Sequence, residues 1–260
     1  VAAAAVAAGA VAAAGPDAVL GATQGAVAAA CGAAFSFVGA GNALNDYLDR
    51  EIDKQGHPDR PIPSGRVRPG AARALSGGLF AVALTLGLYV SVAGFVLVAT
   101  SALIMIAYEV ALKARGLPGN FAIGYLSGIT FYFGGLVLAK PWAVVPLFGL
   151  AVLATVGREL AKDIEDMGAD ATRRTFPQAH GATKAAALSA AFTAGAVVLS
   201  PWPYFAGTMG LPYLAVIAAA DATFMYAALR VRAESGRSQR LSKVAMAVAT
   251  LAFALGGWLG

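Results

Sequence analysis

Asn45, Asp46, Asp49 and Asp53 close a long apolar stretch in the string Asn45-Asp46-Tyr47-Leu48-Asp49-Arg50-Glu51-Ile52-Asp53. Steps of three and then four residues put the three aspartates on one helix face, with Asn45 stacked behind Asp49 and Asp53 at steps of four. Carboxylates gathered on one face repel unless something positive stands between them. A hard divalent cation answers that need, and Mg²⁺ usually arrives with substrate phosphates as its remaining ligands. The same three-then-four spacing returns at Asp163, Asp166 and Asp170. Two acidic clusters facing one another across a helical bundle would form a metal–diphosphate site.

Basic residues flank both clusters. Arg60, Arg66 and Arg68 follow the first; Arg158 and Lys162 precede the second, and Arg173 and Arg174 follow it. Between the clusters, Lys113 and Arg115 stand in Leu112-Lys113-Ala114-Arg115-Gly116-Leu117-Pro118-Gly119-Asn120. A diphosphate leaving group needs such cations for charge the metal does not reach, and Arg can supply two parallel hydrogen bonds. The plainer reading of any one of them is membrane topology. Glu109 and Asp221 fall within apolar spans, where each either lines a cavity or satisfies a neighbour. Tyr47, Tyr108, Tyr125 and Tyr132 offer π faces to a carbocation or simply pack between helices. His57 and His180 lie in loops without metal-ligand spacing. Cys31 sits in an apolar run and reads as an inert buried thiol.

The elements that must position these residues are membrane helices. The chain of 260 residues is 58% hydrophobic and 13% charged, with mean hydropathy +0.69. A water-soluble domain carries about 25% charged residues. Spanning the hydrocarbon core takes roughly 20 apolar residues per helix, and the abundant Ala and Gly suit close packing in lipid. Residues 1–14 read as the remainder of a truncated first span, ended by a Gly15-Pro16-Asp17 turn. A second runs from about Leu20 to the first acidic motif. Further spans fall near 74–91, 93–112, 119–138, 142–161, 183–200, 203–229 and 242–259, between Pro, Gly or charged breaks. The expectation is an all-α, polytopic membrane protein: one domain over 1–260, nine helices in one bundle around a central cavity. With alternating spans, every Lys and Arg except Lys140 falls on one side, and Trp142, Trp202 and Trp258 on the other. The positive-inside rule and the interfacial preference of Trp then put the N-terminus in the cytoplasm. Both acidic motifs, 45–53 and 163–170, open on that cytoplasmic side of the cell membrane. No nucleic-acid partner is expected.

The chain resembles the UbiA-type intramembrane prenyltransferases, and within them most closely the archaeal digeranylgeranylglyceryl phosphate synthase branch. The likeness runs from about residue 2 to the C-terminus. It is specific in four strings: Asn42-Ala43-Leu44-Asn45 through Asp53; Arg60-Pro61-Ile62-Pro63-Ser64-Gly65; Leu112 through Asn120; and Gly157-Arg158-Glu159-Leu160-Ala161-Lys162-Asp163-Ile164-Glu165-Asp166. The resemblance implies that Asn45, Asp46, Asp49 and Asp53 hold one Mg²⁺, and Asp163, Asp166 and Asp170 a second, both bridged by substrate. It implies phosphate contacts from Arg60, Lys113, Arg158 and Lys162; Asn45, Arg66, Arg115 and Asn120 complete the expected substrate-binding set. Asp46, Asp49, Asp53, Asp163, Asp166 and Lys113 are the candidate catalytic residues. Two departures stand out: the family's N-terminal stretch with an Arg-Pro pair is absent, and Met167-Gly168-Ala169 replaces a Val-Glu-Gly run.

The activity so implied is Mg²⁺-dependent transfer of a geranylgeranyl group from its diphosphate to the hydroxyl of geranylgeranylglyceryl phosphate, in archaeal ether-lipid synthesis. The alternative is an aromatic acceptor, 4-hydroxybenzoate or a related quinone precursor. Surplus Arg and Lys at the mouth argue for an acceptor with its own phosphate. A cation-coupled transporter is the distant rival, and predicts acids at mid-membrane on broken helices. A CDP-alcohol phosphotransferase would need one compact run of Asp, Gly and Arg, which the sequence lacks.

Overall fold

The computed structural model describes residues 1–168 and 174–259. Among them, nine helical segments are long and apolar enough to cross a membrane. In lipid each backbone N–H and C=O must find its partner internally, and a helix does so within one segment. Helix α1 is Ala2–Leu20, α2 Gln24–Leu48, and α3 the short Arg50–Gly56; α4 is Pro69–Val90 and α5 Val92–Ala107. After α6, Leu117–Val137, come α7, Val145–Glu165, and the short α8, Phe176–His180. The chain ends with α9, Ala182–Leu199, the single turn α10, Trp202–Phe205, then α11, Leu211–Arg230, and α12, Ser235–Leu259.

Three boundaries differ from the sequence reading. The expected turn at Gly15-Pro16-Asp17 is a kink within α1: Gly15 alone leaves helical geometry, with φ 76° and ψ 173°, and helix resumes to Leu20. Pro16 lacks an N–H and is preorganised for the first position of a helix, so the chain restarts there. The span expected over 203–229 begins only at Leu211, because Trp202–Phe205 extends the preceding helix and Gly207, at φ 69°, turns the chain back. The fourth span does not end as an α-helix; its last turn, Tyr108–Leu112, is π-helical.

Helices α1 and α6 run through the middle of the bundle. One buried cluster joins α1, α6, α7, α11 and α12 through Ala5, Phe131, Leu147, Tyr213 and Phe253. A second joins α1, α2, α4, α5 and α6 through Val6, Ala33, Ala83, Val98 and Phe133. Between lipid-solvated helices the hydrophobic effect gives little, so association depends on close contact of small residues. Gly9 and Gly134 supply it: a Cβ at Gly9 would collide with the Phe131 carbonyl, and one at Gly134 with the Val6 carbonyl. The exposed tryptophans Trp142, Trp202 and Trp258 lie at or beside the ends of their spans remote from the acidic motifs.

Candidate active site

The first acidic motif sits where α2 gives way to α3. Asp49 keeps near-helical geometry, its N–H bonding to the Asn45 carbonyl at 2.8 Å, and the Asp53 N–H bonds to the Asp49 carbonyl at 2.8 Å. The helical register therefore survives the junction and keeps Asn45, Asp49 and Asp53 one turn apart. Asn45 Nδ2 donates to Asp49 Oδ2 at 3.2 Å and to Glu109 Oε2 at 3.0 Å. Lys113 Nζ reaches the same two carboxylates, at 2.5 Å and 3.1 Å. Buried Asp53 is paired with Arg60 Nη1 at 2.7 Å. Asp46 is half-buried one turn before Arg50, whose guanidinium donates to the Tyr47 carbonyl at 2.6 Å. At the surface, a hydrogen bond from Lys54 holds the Glu51 carboxyl below its usual range; this pair faces water and not the site.

The second motif ends α7. Asn120, buried near the start of α6, donates from Nδ2 to Asp163 Oδ2 at 3.1 Å. Asp166 is half-buried at the C-cap of α7, and Lys162 lies half-buried one residue before Asp163. Arg158 turns to its neighbour Glu159, itself buried in α7. Asp170, expected as a third ligand here, lies outside the described residues, as does Arg173.

The segment from Lys113 to Asn120 joins the two motifs: its first residue pairs with Asp49 and its last with Asp163. Local chemistry explains its tight course. Gly116 adopts φ 67° and ψ −126°, which side chains rarely tolerate, and a Cβ there would stand 2.9 Å from the Phe176 nitrogen. A Cβ on Gly119 would lie 2.5 Å from the Leu112 carbonyl oxygen. Across this turn the Arg174 N–H bonds to the Ala114 carbonyl at 3.2 Å.

Beneath the motifs lies an apolar chamber of about 460 Å³. Its wall includes Asn42, one turn from Asn45 and Asp46; Ile123, one turn from Asn120; and Phe131 and Phe133. At 1.5 Å rise per residue, Asn120 to Phe131 on α6 spans about 16 Å. A polar, charge-rich mouth therefore opens on a long apolar interior, the shape an isoprenyl diphosphate requires. A smaller cavity of about 50 Å³ lies beside the chamber's deep end and shares Phe131, Ala151, Met246 and Thr250 with it. There Asp221 accepts a hydrogen bond from Ser200 Oγ at 2.5 Å, so the second intramembrane acid satisfies a neighbour far from the acidic mouth.

The structure thus gathers Asn45, Asp49 and Lys113 at one edge of the mouth and Asn120 with Asp163 at the other. It does not bring Arg66 or Arg115 to them. Arg66 bonds to Ser64 Oγ at 3.0 Å and to the Asp59 carbonyl within its own loop, and Arg115 is exposed. Three converging carboxylates were expected in each motif; among the described residues no three acidic, histidine or cysteine side chains come close enough to hold an ion alone. Asp49, Asp53 and Asp163 instead turn to Lys113, Arg60 and Asn120, the nearest cations and amide. The donor chemistry nonetheless suits Mg²⁺, which binds through one or two carboxylates plus phosphate oxygens rather than an all-protein cage. Glu109, which like Asp221 the sequence alone does not assign, joins the first cluster. Its signal was an acid inside a membrane span, which is costly and seldom without a role.

The profile of the UbiA prenyltransferase family matches residues 1–258. A digeranylgeranylglyceryl phosphate synthase of Methanothermobacter thermautotrophicus is 40% identical over 229 residues, covering 85% of this chain and 82% of its own. The protein of that name from Methanosarcina mazei is 41% identical over 229 residues, covering 85% and 79%. A solved chain from work on digeranylgeranylglyceryl phosphate synthase in membranes superposes with TM-score 0.80 at 30% identity, covering 98% of this chain and 92% of the other. The apo structure of a UbiA homologue from Aeropyrum pernix K1 shares the fold, with TM-score 0.80 at 19% identity over 98% and 96% of the two chains. Nine spans among the described residues, two acidic motifs meeting over an apolar chamber and this whole-chain similarity agree: the chain belongs to the UbiA prenyltransferase family.

Proposed function

We propose that this prenyltransferase moves a geranylgeranyl group from geranylgeranyl diphosphate to the free hydroxyl of geranylgeranylglyceryl phosphate, a step in archaeal ether-lipid synthesis. The observation that carries this reading is the meeting of two acidic motifs, through Lys113–Asn120, over a 460 Å³ apolar chamber. The names of the relatives at about 40% identity support the choice of acceptor. Members of the family generally use Mg²⁺ with diphosphate substrates. Two ions would be held by Asn45, Asp46, Asp49 and Asp53 and by Asp163, Asp166 and Asp170. When bound they neutralise charge on the departing diphosphate as Lewis acids.

The chain's own residues do the rest. Lys113 and Arg60, which pair with Asp49 and Asp53, are the cations placed at the mouth to bind phosphate oxygens of the donor. Arg158 and Lys162 approach from the second motif. The apolar wall around Phe131 and Phe133 excludes water while the donor's C1–O bond breaks and an allylic cation develops. The acceptor oxygen then bonds to C1, diphosphate leaves, and the hydroxyl proton passes to a carboxylate at the mouth. The mouth opens to the cytoplasm, with the N-terminus on that side, in keeping with the basic loops.

The test is Mg²⁺-dependent product formation by protein in lipid, given radiolabelled geranylgeranyl diphosphate and, in parallel, geranylgeranylglyceryl phosphate or 4-hydroxybenzoate. A labelled two-chain glycerol phosphate is the expected product. Label on the aromatic acid would keep the chemistry and move the acceptor; no transfer to either would overturn the reading.

A further inference from the structure

We propose that Glu109 is a positioning residue that fixes the side-chain amide of Asn45, leaving its carbonyl oxygen as the atom offered to a metal. This rests on the metal–diphosphate reading above. Glu109 is the second residue of the π-helical turn Tyr108–Leu112, whose extra residue is closed by the Lys113 N–H bonding to the Tyr108 carbonyl at 2.9 Å. Such turns often mark functional sites. Here the turn carries Glu109 and Lys113 together toward α2, and the Glu109 side chain is 3% exposed. Its Oε2 accepts from Asn45 Nδ2 at 3.0 Å and from Lys113 Nζ at 3.1 Å. With Asp49 accepting from the same two donors, the four side chains close a ring.

That ring settles which end of the Asn45 amide faces which way. Nδ2 is committed to two carboxylates, and a flipped amide would set Oδ1 against both. Oδ1 remains as a neutral hard oxygen of the type Mg²⁺ prefers. Asp49 cannot secure this alone, because as a metal ligand its oxygens are drawn to the ion. Glu109 stands on another helix and holds Asn45 from the side. It is to Asn45 what an outer carboxylate is to a ligating histidine, and loss of such a partner typically weakens metal affinity 10–100-fold.

The experiment compares wild type with Glu109→Gln, Glu109→Met and Glu109→Ala in detergent. The first readout is thermal stabilisation by inorganic pyrophosphate as Mg²⁺ is titrated, which needs neither acceptor nor turnover. The second is the Mg²⁺ dependence of transfer. Glu109→Met and Glu109→Ala are expected to raise the half-saturating Mg²⁺ about tenfold in both readouts, with kcat at saturating Mg²⁺ within about threefold of wild type. Glu109→Gln can still accept from Asn45 and is expected to stay within about threefold of wild type throughout. An unchanged Mg²⁺ midpoint in whichever of the Met and Ala variants folds would overturn the assignment. So would a Gln variant as impaired as they are, since charge and not amide orientation would then matter. Pyrophosphate and Mg²⁺ that fail to stabilise even wild type would instead remove the metal–diphosphate reading, and this inference with it.

Discussion

Replacing Lys113 by Met separates the two duties of that side chain. Its ammonium lies 2.5 Å from Asp49 Oδ2 and 3.1 Å from Glu109 Oε2 and is 13% exposed. At an effective dielectric of ~20 each contact corresponds to about 5–7 kcal/mol of gross attraction. Desolvation of the three groups offsets most of it. The measurable quantity is the cost of leaving buried carboxylates without their cation, about 3–5 kcal/mol. Met keeps the length and apolar stem, so packing changes little. In EDTA, the Lys113→Met protein should therefore unfold well below wild type, followed by thermal melting in detergent. Mg²⁺ added with pyrophosphate should recover much of the difference, because an ion among the carboxylates replaces the missing charge. Transfer should not recover. A cation lost from the departing diphosphate is expected to lower kcat/KM at least 100-fold, equivalent to about 2.7 kcal/mol of transition-state stabilisation. The reasoning fails if the variant melts like wild type in EDTA, or if it turns over normally in saturating Mg²⁺.

Other substitutions test the same geometry. Asn45→Ala, Asp49→Ala and Asp163→Ala should each reduce transfer at least 100-fold in folded protein, as metal or phosphate ligands do; wild-type turnover in any of them would remove that residue from the site. Gly116→Ala forces a side chain into φ 67° and against Phe176, so a loss of roughly 1–3 kcal/mol is expected, read by melting temperature. Arg66→Ala should leave kcat/KM within about threefold, since its contacts stay in its own loop and exposed polar contacts contribute little. A large loss there would place Arg66 on the substrate. Gly9→Leu should prevent α1 from meeting α6 and abolish stable expression in membranes, checked by size-exclusion profile in detergent.

The nine spans found among the described residues and the motif strings themselves were legible along the chain. Hydropathy is a local property, and a membrane interior admits only helices or closed barrels. The same local view gave Gly15-Pro16 as a break, yet only the structure shows that helix resumes beyond it. Spacing put Asn45, Asp49 and Asp53 on a common face, and their register does hold. Spacing could not say where those side chains turn, because their partners are distant: Lys113 lies 64 residues beyond Asp49, and Asp163 lies 43 beyond Asn120. The burial of Glu109, the withdrawal of Arg66 into its own loop and the chamber under Asn42 and Ile123 likewise arise from helix packing. Each depends on which small residues let two helices approach, and on which charges then find one another. Those are contacts between segments that no single stretch of the chain contains.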